Sequence, residues 1–224
     1  MGAIKLRKLP ETIDHREFLE LIKGIRYNDT KKIKKIKTAF VLGFYQCMRI
    51  SEVAGLKEEV SKCCRSKVVK KVNGKMTRFC SKCDKELKLL DISRGKEWKI
   101  LPLKSENVDI NRGFIHIIAG KGQKDRDVPI QKPVFPFLKH LPIGLSARTI
   151  NRELSRWSNK ILGKKLSFHD LRHSGSSFYL NEMKVDIRHL QILLGHESIA
   201  TTQRYTHVTP KGLKDVFDDL WGGV

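Results

Sequence analysis

The chain has no run of about 18 apolar residues, so no segment reads as a membrane-spanning helix. Met1 to Pro10 hold neither an apolar stretch of signal-peptide length nor a small-residue cleavage site. Leu6 stands where a myristoylation signal starting at Gly2 needs Ser or Thr. A cytoplasmic location is therefore expected. Acidic residues are scarce, 24 Asp and Glu against 45 Lys and Arg. No pair or cluster of carboxylates has metal-nuclease spacing, which argues against a two-metal hydrolase. The glycines of Gly120-Lys-Gly122 lack Walker spacing and lead into a strand, so they do not form a nucleotide-binding loop. Repeats and low-complexity linkers are also absent.

What is present is a folded composition: 224 residues, 40% hydrophobic and 31% charged, the size of one domain carrying a small insert. The net charge of +21 suggests a polyanionic partner, of which nucleic acid is the commonest; a merely lysine-rich protein is the alternative. The five cysteines, in a reducing compartment, are expected to be reduced, metal-bound or inert.

In chain order, the spacing of Phe18, Leu19, Leu21, Ile22 and Ile25 predicts a helix within 11–27, capped by Asp14. A second helix opens on the lysines from Lys31 to Lys37 and carries Ile33, Ile36, Phe40, Val41 and Phe44 on one face. It leads into Arg49 at a helix junction, with Ser51 expected to cap the short helix that follows. Residues 58–103 differ in character. They are rich in lysine, poor in apolar residues, and contain Cys63, Cys64, Cys80 and Cys83 with an Asn73-Gly74 turn. Cys80-Ser-Lys-Cys83 is the spacing with which two thiolates grip a tetrahedral zinc. Cys63 and Cys64 are adjacent, which is unusual for the other half of such a site. Structural zinc is expected here, the alternative being four free thiols.

Short strands follow at 107–110, 113–118 and 127–130, and they predict a small three-stranded antiparallel sheet. Its last hairpin, 119–126, carries Lys121 and Lys124. The rest reads as helix. Arg148, Arg152, Arg156 and Lys160 form a basic stripe from Ala147 to Leu162, suited to a DNA backbone. His169 and Arg172 share a face. Gly195 ends a helix begun at Asp186. Ser198 caps, and Pro210 stops, a helix holding Tyr205. Lys211 to Trp221 is an amphipathic last segment that packs on its own core or on a neighbouring subunit. The fold class expected is α+β, mostly helical.

Four segments, in this order, resemble the tyrosine recombinases, or phage integrases, including the Xer recombinases. Arg49-Ile-Ser-Glu52 before Gly55-Leu56 is similar to the segment bearing their first arginine. Gly120-Lys-Gly-Gln-Lys-Asp-Arg126 before Val128-Pro129 is similar to their lysine hairpin. His169-Asp-Leu-Arg-His173 resembles their His-x-x-Arg motif. Leu194-Gly-His196 with Tyr205-Thr-His-Val208 resembles the final motif, down to its spacing. Three departures stand out. Gln46-Cys47-Met48 replaces a frequent Thr-Gly-Leu. The cysteine-rich insert at 58–103 is atypical. Only 48 residues precede Arg49, so the family's core-binding domain is expected to be absent and 1–224 to be one catalytic domain.

The resemblance implies site-specific DNA recombination through a 3′-phosphotyrosyl intermediate. Tyr205 would be the nucleophile; Arg49, Arg172 and His196 would bind the phosphate. His169 would assist deprotonation of Tyr205 or hold the phosphate, and Lys121 would protonate the leaving 5′-hydroxyl. No catalytic metal or nucleotide is implied. Lys124, Arg126, Arg148, Arg152 and Arg156 are expected DNA contacts. The expected partners are double-stranded DNA and further copies of the chain, a tetramer on two DNA sites and a monomer when free, working at the nucleoid. The competing readings are a type IB topoisomerase-like enzyme, a non-catalytic DNA-binding protein on the same fold and, weakest, a zinc-dependent RNA-binding module.

Overall fold

The computed structural model describes residues 11–26, 30–73, 75–118, 125–195 and 210–222. Helix α1 (His15–Gly24) begins with a reciprocal cap. The Asp14 carboxylate accepts from the Glu17 N–H at 2.7 Å, and the Glu17 carboxylate accepts from the Asp14 N–H at 3.1 Å. Helix α2 (Thr30–Phe44) starts on lysines and then turns apolar on every side. Ile36, Ala39, Phe40, Val41, Leu42 and Phe44 are all buried. A helix apolar all round belongs at the centre of a domain, and α2 packs against α6 (Phe168–Asn181), α5 (Ala147–Leu162) and α4 (Phe135–Leu138). Gly175 makes the closest crossing: a Cβ there would lie 1.9 Å from the Phe44 carbonyl oxygen.

After α2 the chain turns sharply at Cys47, whose φ of 47° is left-handed. The resemblance places glycine at this position, where such a φ carries no Cβ penalty. Helix α3 (Ile50–Ala54) follows. Its N-cap is Arg49, not Ser51, because the Glu52 carboxylate takes the Arg49 N–H at 2.7 Å.

The insert begins two residues earlier than expected, with β1 (Leu56–Ser61). This strand pairs with β4 (Ile92–Ile100), while β2 (Val68–Asn73) pairs antiparallel with β3 (Lys75–Cys80); Gly74 of the expected turn lies outside the described residues. The predicted three-stranded antiparallel sheet follows as β5 (Val108–Asp109), β6 (Phe114–Ile117) and β7 (Arg126–Pro129), with Ile115 and Ile117 buried and His116 exposed between them.

Helix α7 (Ile187–Leu194) is capped by Asp186 and ends at Gly195, with φ 60°. Pro210 opens α8 (Pro210–Gly222), where a missing N–H costs nothing. The helix expected to end at Pro210 lies outside the described residues. Helix α8 packs on the chain's own core through Leu213 and Phe217, and the Trp221 indole donates to Gln131 Oε1 at 2.9 Å. Among the described residues no helix is long and apolar enough to cross a membrane.

Candidate active site and cysteine cluster

Arg49 leaves the Cys47 turn, Arg172 lies in the second turn of α6, and the fold brings the two together. Arg49 donates through Nη1 to Glu52 Oε1 and through Nη2 to the Gly195 carbonyl, each at 3.1 Å. Arg172 is buried, donating to the carbonyls of Cys47 and of Leu194, the latter at 2.7 Å. Burial, then the charge of Arg49, lowers Arg172 to about 10, so it stays a cation at neutral pH. The two arginines thus hold the carbonyl end of α7, where the helix dipole is negative.

Glu52, named in the sequence only as part of the segment that follows Arg49, organises this site. Only 3% of it is exposed. Besides the two Arg49 bonds, its carboxylate receives Arg126 Nη1 and Nη2 at 2.9 and 3.1 Å. Burial pushes its carboxyl up, but the bonds and charges of Arg126 and Arg49 outweigh this and hold it below the ordinary range. Arg126, one of the expected DNA contacts, turns both terminal nitrogens onto Glu52. It also packs against Gly195, where a Cβ would lie 2.8 Å from the guanidinium carbon.

A consequence for stability follows from that lowered carboxyl. Its contribution is complete above the unfolded value of about 4.3 and is lost as pH falls through the folded value below it. Glu52→Gln leaves buried guanidinium groups short of their counter-charge and is expected to cost on the order of 3 kcal/mol at pH 7. Denaturant titrations from pH 7 to pH 3 should show wild type losing this margin below about pH 4, with the variant flatter. Parallel curves would contradict the assignment.

A cavity of about 420 Å³ opens beside the arginines, lined by Met48, Arg49, Ile50, Ser51, Phe168, His169 and Arg172. His169 is exposed at its rim, and its Nε2 lies 3.0 Å from Nε2 of His173, one helical turn on. At that distance one ring nitrogen donates a hydrogen bond to the other. Burial, then the charge of His169, pulls His173 below its ordinary value. Lys121, Lys124, His196 and Tyr205 lie outside the described residues. His196 nevertheless follows directly on Gly195, whose carbonyl Arg49 holds.

Arg148, Arg152 and Arg156 are exposed along α5 as expected. Arg152 and Arg156 also reach the buried Glu153, at 3.5 and 3.9 Å, and Arg156 and Lys160 lie over the Trp157 ring.

In the insert, the sulfurs of Cys63, Cys64, Cys80 and Cys83 all lie within 4.8 Å of one another, a set that could hold a metal ion. The adjacency of Cys63 and Cys64 has a structural reason. Ser61 and Cys80 occupy matching places in two similar turns. Each is followed three residues later by cysteine, Cys64 or Cys83, and then by a left-handed residue, Arg65 or Asp84. Each turn is closed by the same bond, from the Arg65 N–H to Ser61 O at 3.0 Å and from the Asp84 N–H to Cys80 O at 2.9 Å. Ser61 stands where a Cys-x-x-Cys turn would begin, and its hydroxyl bonds Cys80 Sγ at 3.2 Å. Cys63 brings the fourth sulfur from within the turn. The Ser61 hydroxyl, then the Cys83 and Lys82 backbone N–H groups, hold the Cys80 thiol at about 6.

Residues 142–211 match the phage integrase family. The chain is 36% identical over 135 residues to "Tyrosine recombinase XerA" of Pyrococcus furiosus, covering 52% of this chain and 46% of that protein. It thus spans about half the length of the curated relatives it matches. Among solved structures, it resembles the integrase from mycobacterium phage Brujita, with a TM-score of 0.62 and 18% identity over 97% of this chain and 60% of that one. It also resembles XerH recombinase bound to its difH substrate, with a TM-score of 0.51 and 21% identity over 96% of this chain and 55% of that one. At these identities the structures show a shared fold.

Proposed function

We propose that this chain, which matches the phage integrase family over residues 142–211 and is similar to curated tyrosine recombinases, is a tyrosine recombinase catalytic domain that cuts and rejoins DNA strands at specific sites through a 3′-phosphotyrosyl intermediate. The observation that carries this reading is the convergence of Arg49 and Arg172 on one cavity with His169 at its rim. Arg49, Arg126 and Arg172 surround a single carboxylate, Glu52, leaving a local excess of two positive charges. A phosphodiester carries one negative charge, and its five-coordinate transition state carries two. The site therefore holds the later state more strongly than the earlier one, which is the condition for catalysis.

In this reading the Tyr205 oxygen attacks phosphorus, giving its proton toward His169. Arg49, Arg172 and His196 hold the non-bridging oxygens. The bond to the 5′-oxygen breaks, and Lys121 protonates that oxygen as it leaves. Reversal by the 5′-hydroxyl of a second strand reseals DNA with no outside energy source. Exchange between two sites calls for four copies of the chain on DNA in the cytoplasm. The cysteine cluster holds one structural zinc. The separation of Cys63 and Cys83 sulfurs, 3.7 Å, matches the edge of about 3.8 Å that a tetrahedron of 2.3 Å zinc–sulfur bonds requires.

The decisive experiment offers the protein nicked duplexes from a site library, so that a cut strand diffuses away and the covalent complex accumulates. Protein attached to a 3′ end is expected with wild type and none with Tyr205→Phe. No adduct, or an equal one from both proteins, sinks the proposal. Relaxation of supercoiled plasmid without strand exchange replaces it with the topoisomerase-like reading.

A further inference from the structure

We infer that the cysteine-rich insert is a second grip on DNA, taking backbone phosphates of the same duplex whose scissile phosphate enters the Arg49–Arg172 cavity. The inference rests on the reading of that cavity as the DNA site.

The first support is where the insert is rooted. Its first strand leaves directly after α3, the helix begun by Arg49, and the chain returns beside that helix after its last strand. The Leu103 N–H donates to the Glu52 carbonyl at 3.1 Å. Gly55, with φ 74°, has no room for a Cβ, because the Trp98 ring and Pro102 would lie 2.5 and 2.9 Å from it. The root is therefore packed against the residue that holds Arg49. Strand β4 is bulged against the six residues of β1, so the pair runs roughly 20 Å at 3.3 Å per residue. That is more than half a turn of duplex, so the outer part can reach phosphates beyond the scissile one.

The second support is charge. Residues 58–103 hold thirteen Lys and Arg against six Asp and Glu, an excess of seven. A fifth of the chain thus carries a third of its net charge. A zinc tetrathiolate contributes two net negative charges, and five positive ones still remain. Solubility alone needs mixed signs rather than one. Lys62, Lys70, Lys82, Lys85 and Lys88 are all exposed. Lys70 and Arg78 lie directly opposite in the β2–β3 register, a like-charge pairing that costs stability unless an anion lies across it. Among the described residues of the insert the most exposed apolar side chains are Leu89 and Leu90, at 73% and 81%, with Val69, Trp98 and Leu101 exposed to 41%, 43% and 44%. Those two leucines mark the competing occupant, another protein.

The test uses the full, metal-loaded chain with Tyr205→Phe, so that binding is read without cleavage. Anisotropy of a labelled 40-base-pair duplex is followed from 50 to 300 mM salt for this protein and for the triple variant Lys70→Glu, Lys82→Glu, Lys85→Glu. The variant is expected to bind about 10- to 100-fold more weakly at 100 mM salt. The slope of log Kd against log salt should fall by about 2 to 3, near 0.9 for each lost phosphate contact. The Lys→Gln triple variant, with metal content equal to wild type, should lose the same slope and so guards against misfolding. An unchanged slope in metal-loaded variants overturns the inference, and the leucine pair then becomes the functional surface. An insert-dependent slope without any wild-type covalent adduct would leave the grip standing while the recombinase reading falls. An adduct with an insert-independent slope would do the reverse.

Discussion

Arg172→Lys is expected to slow covalent-complex formation by about 10³-fold, roughly 4 kcal/mol of transition-state stabilisation, while DNA affinity changes only a few-fold. Lysine keeps the charge but not the planar fork, and this site uses the fork twice. Its nitrogens are fixed by the carbonyls of Cys47 and Leu194, so the guanidinium plane is set before substrate arrives. A flexible ammonium can satisfy one carbonyl or the phosphate, but not the same array. Arg172→Ala is a poorer test because it also leaves two buried carbonyls unpaired, at about 1–3 kcal/mol each. Arg49→Lys should slow cleavage comparably with less loss of stability, since the Arg49 side chain is 28% exposed whereas Arg172 is 5% exposed. Single-turnover adduct formation at saturating DNA, with Kd and melting temperature measured alongside, separates these effects. A rate for Arg172→Lys within tenfold of wild type would remove Arg172 from the chemistry.

How far the sequence reveals this arrangement depends on whether a residue acts through its type or through its neighbours. Arg49 and Arg172 are legible because guanidinium at those two motifs has one chemical use, and their meeting needs only the α2–α6 crossing that Gly175 permits. The caps at Asp14 and Gly195 are legible because they depend on local geometry. Glu52 is not legible in the same way. Its role comes from Arg126, 74 residues on, and a lone acid at a helix start has no signature of a long-range partner. The same contact ties Arg126, one of the expected DNA contacts, to a buried carboxylate. A cation beside a hairpin looks solvent-facing until its carboxylate is found. Ser51 as a cap fails for a related reason. The preference of serine for that position is weaker than the bond the Glu52 carboxylate makes to the Arg49 N–H.

The insert divides along the same line. Its hairpin and its two-residue cysteine spacing are local, and both are present. The adjacency of Cys63 and Cys64 becomes intelligible only in three dimensions, where Ser61 takes the place of a first cysteine and bonds Cys80.

Loss of the proposed zinc is the second change with a large expected effect. Cys80→Ser, or exhaustive chelation, should unfold residues 58–103 while leaving the helical domain intact. Among the described side chains of this stretch, only Ser61, Cys80, Leu87 and Leu103 are buried, and Leu103 belongs to the core of the main domain. Two apolar side chains cannot offset the conformational entropy of forty-odd ordered residues at about 1–2 kcal/mol each. Zinc bound by four thiolates supplies on the order of 10 kcal/mol in small metal-held units, which would account for the order in four short strands under the proposed zinc site. Hydrogen exchange read by mass spectrometry is therefore expected to show protection across β1 to β4 vanishing in Cys80→Ser, with α2 and α6 still protected. Metal analysis should fall from one zinc per chain to none. Cleavage should slow by a smaller factor, about tenfold, because the insert's root packs on Gly55 and Glu52 only while β1 and β4 are paired, and unpairing them loosens the support behind Arg49. Serine retains the size of the side chain, so packing loss alone does not explain such a result. Wild type purified without metal, or full protection of β1 to β4 in the variant, would mean that the four cysteines are not what holds this part of the chain together.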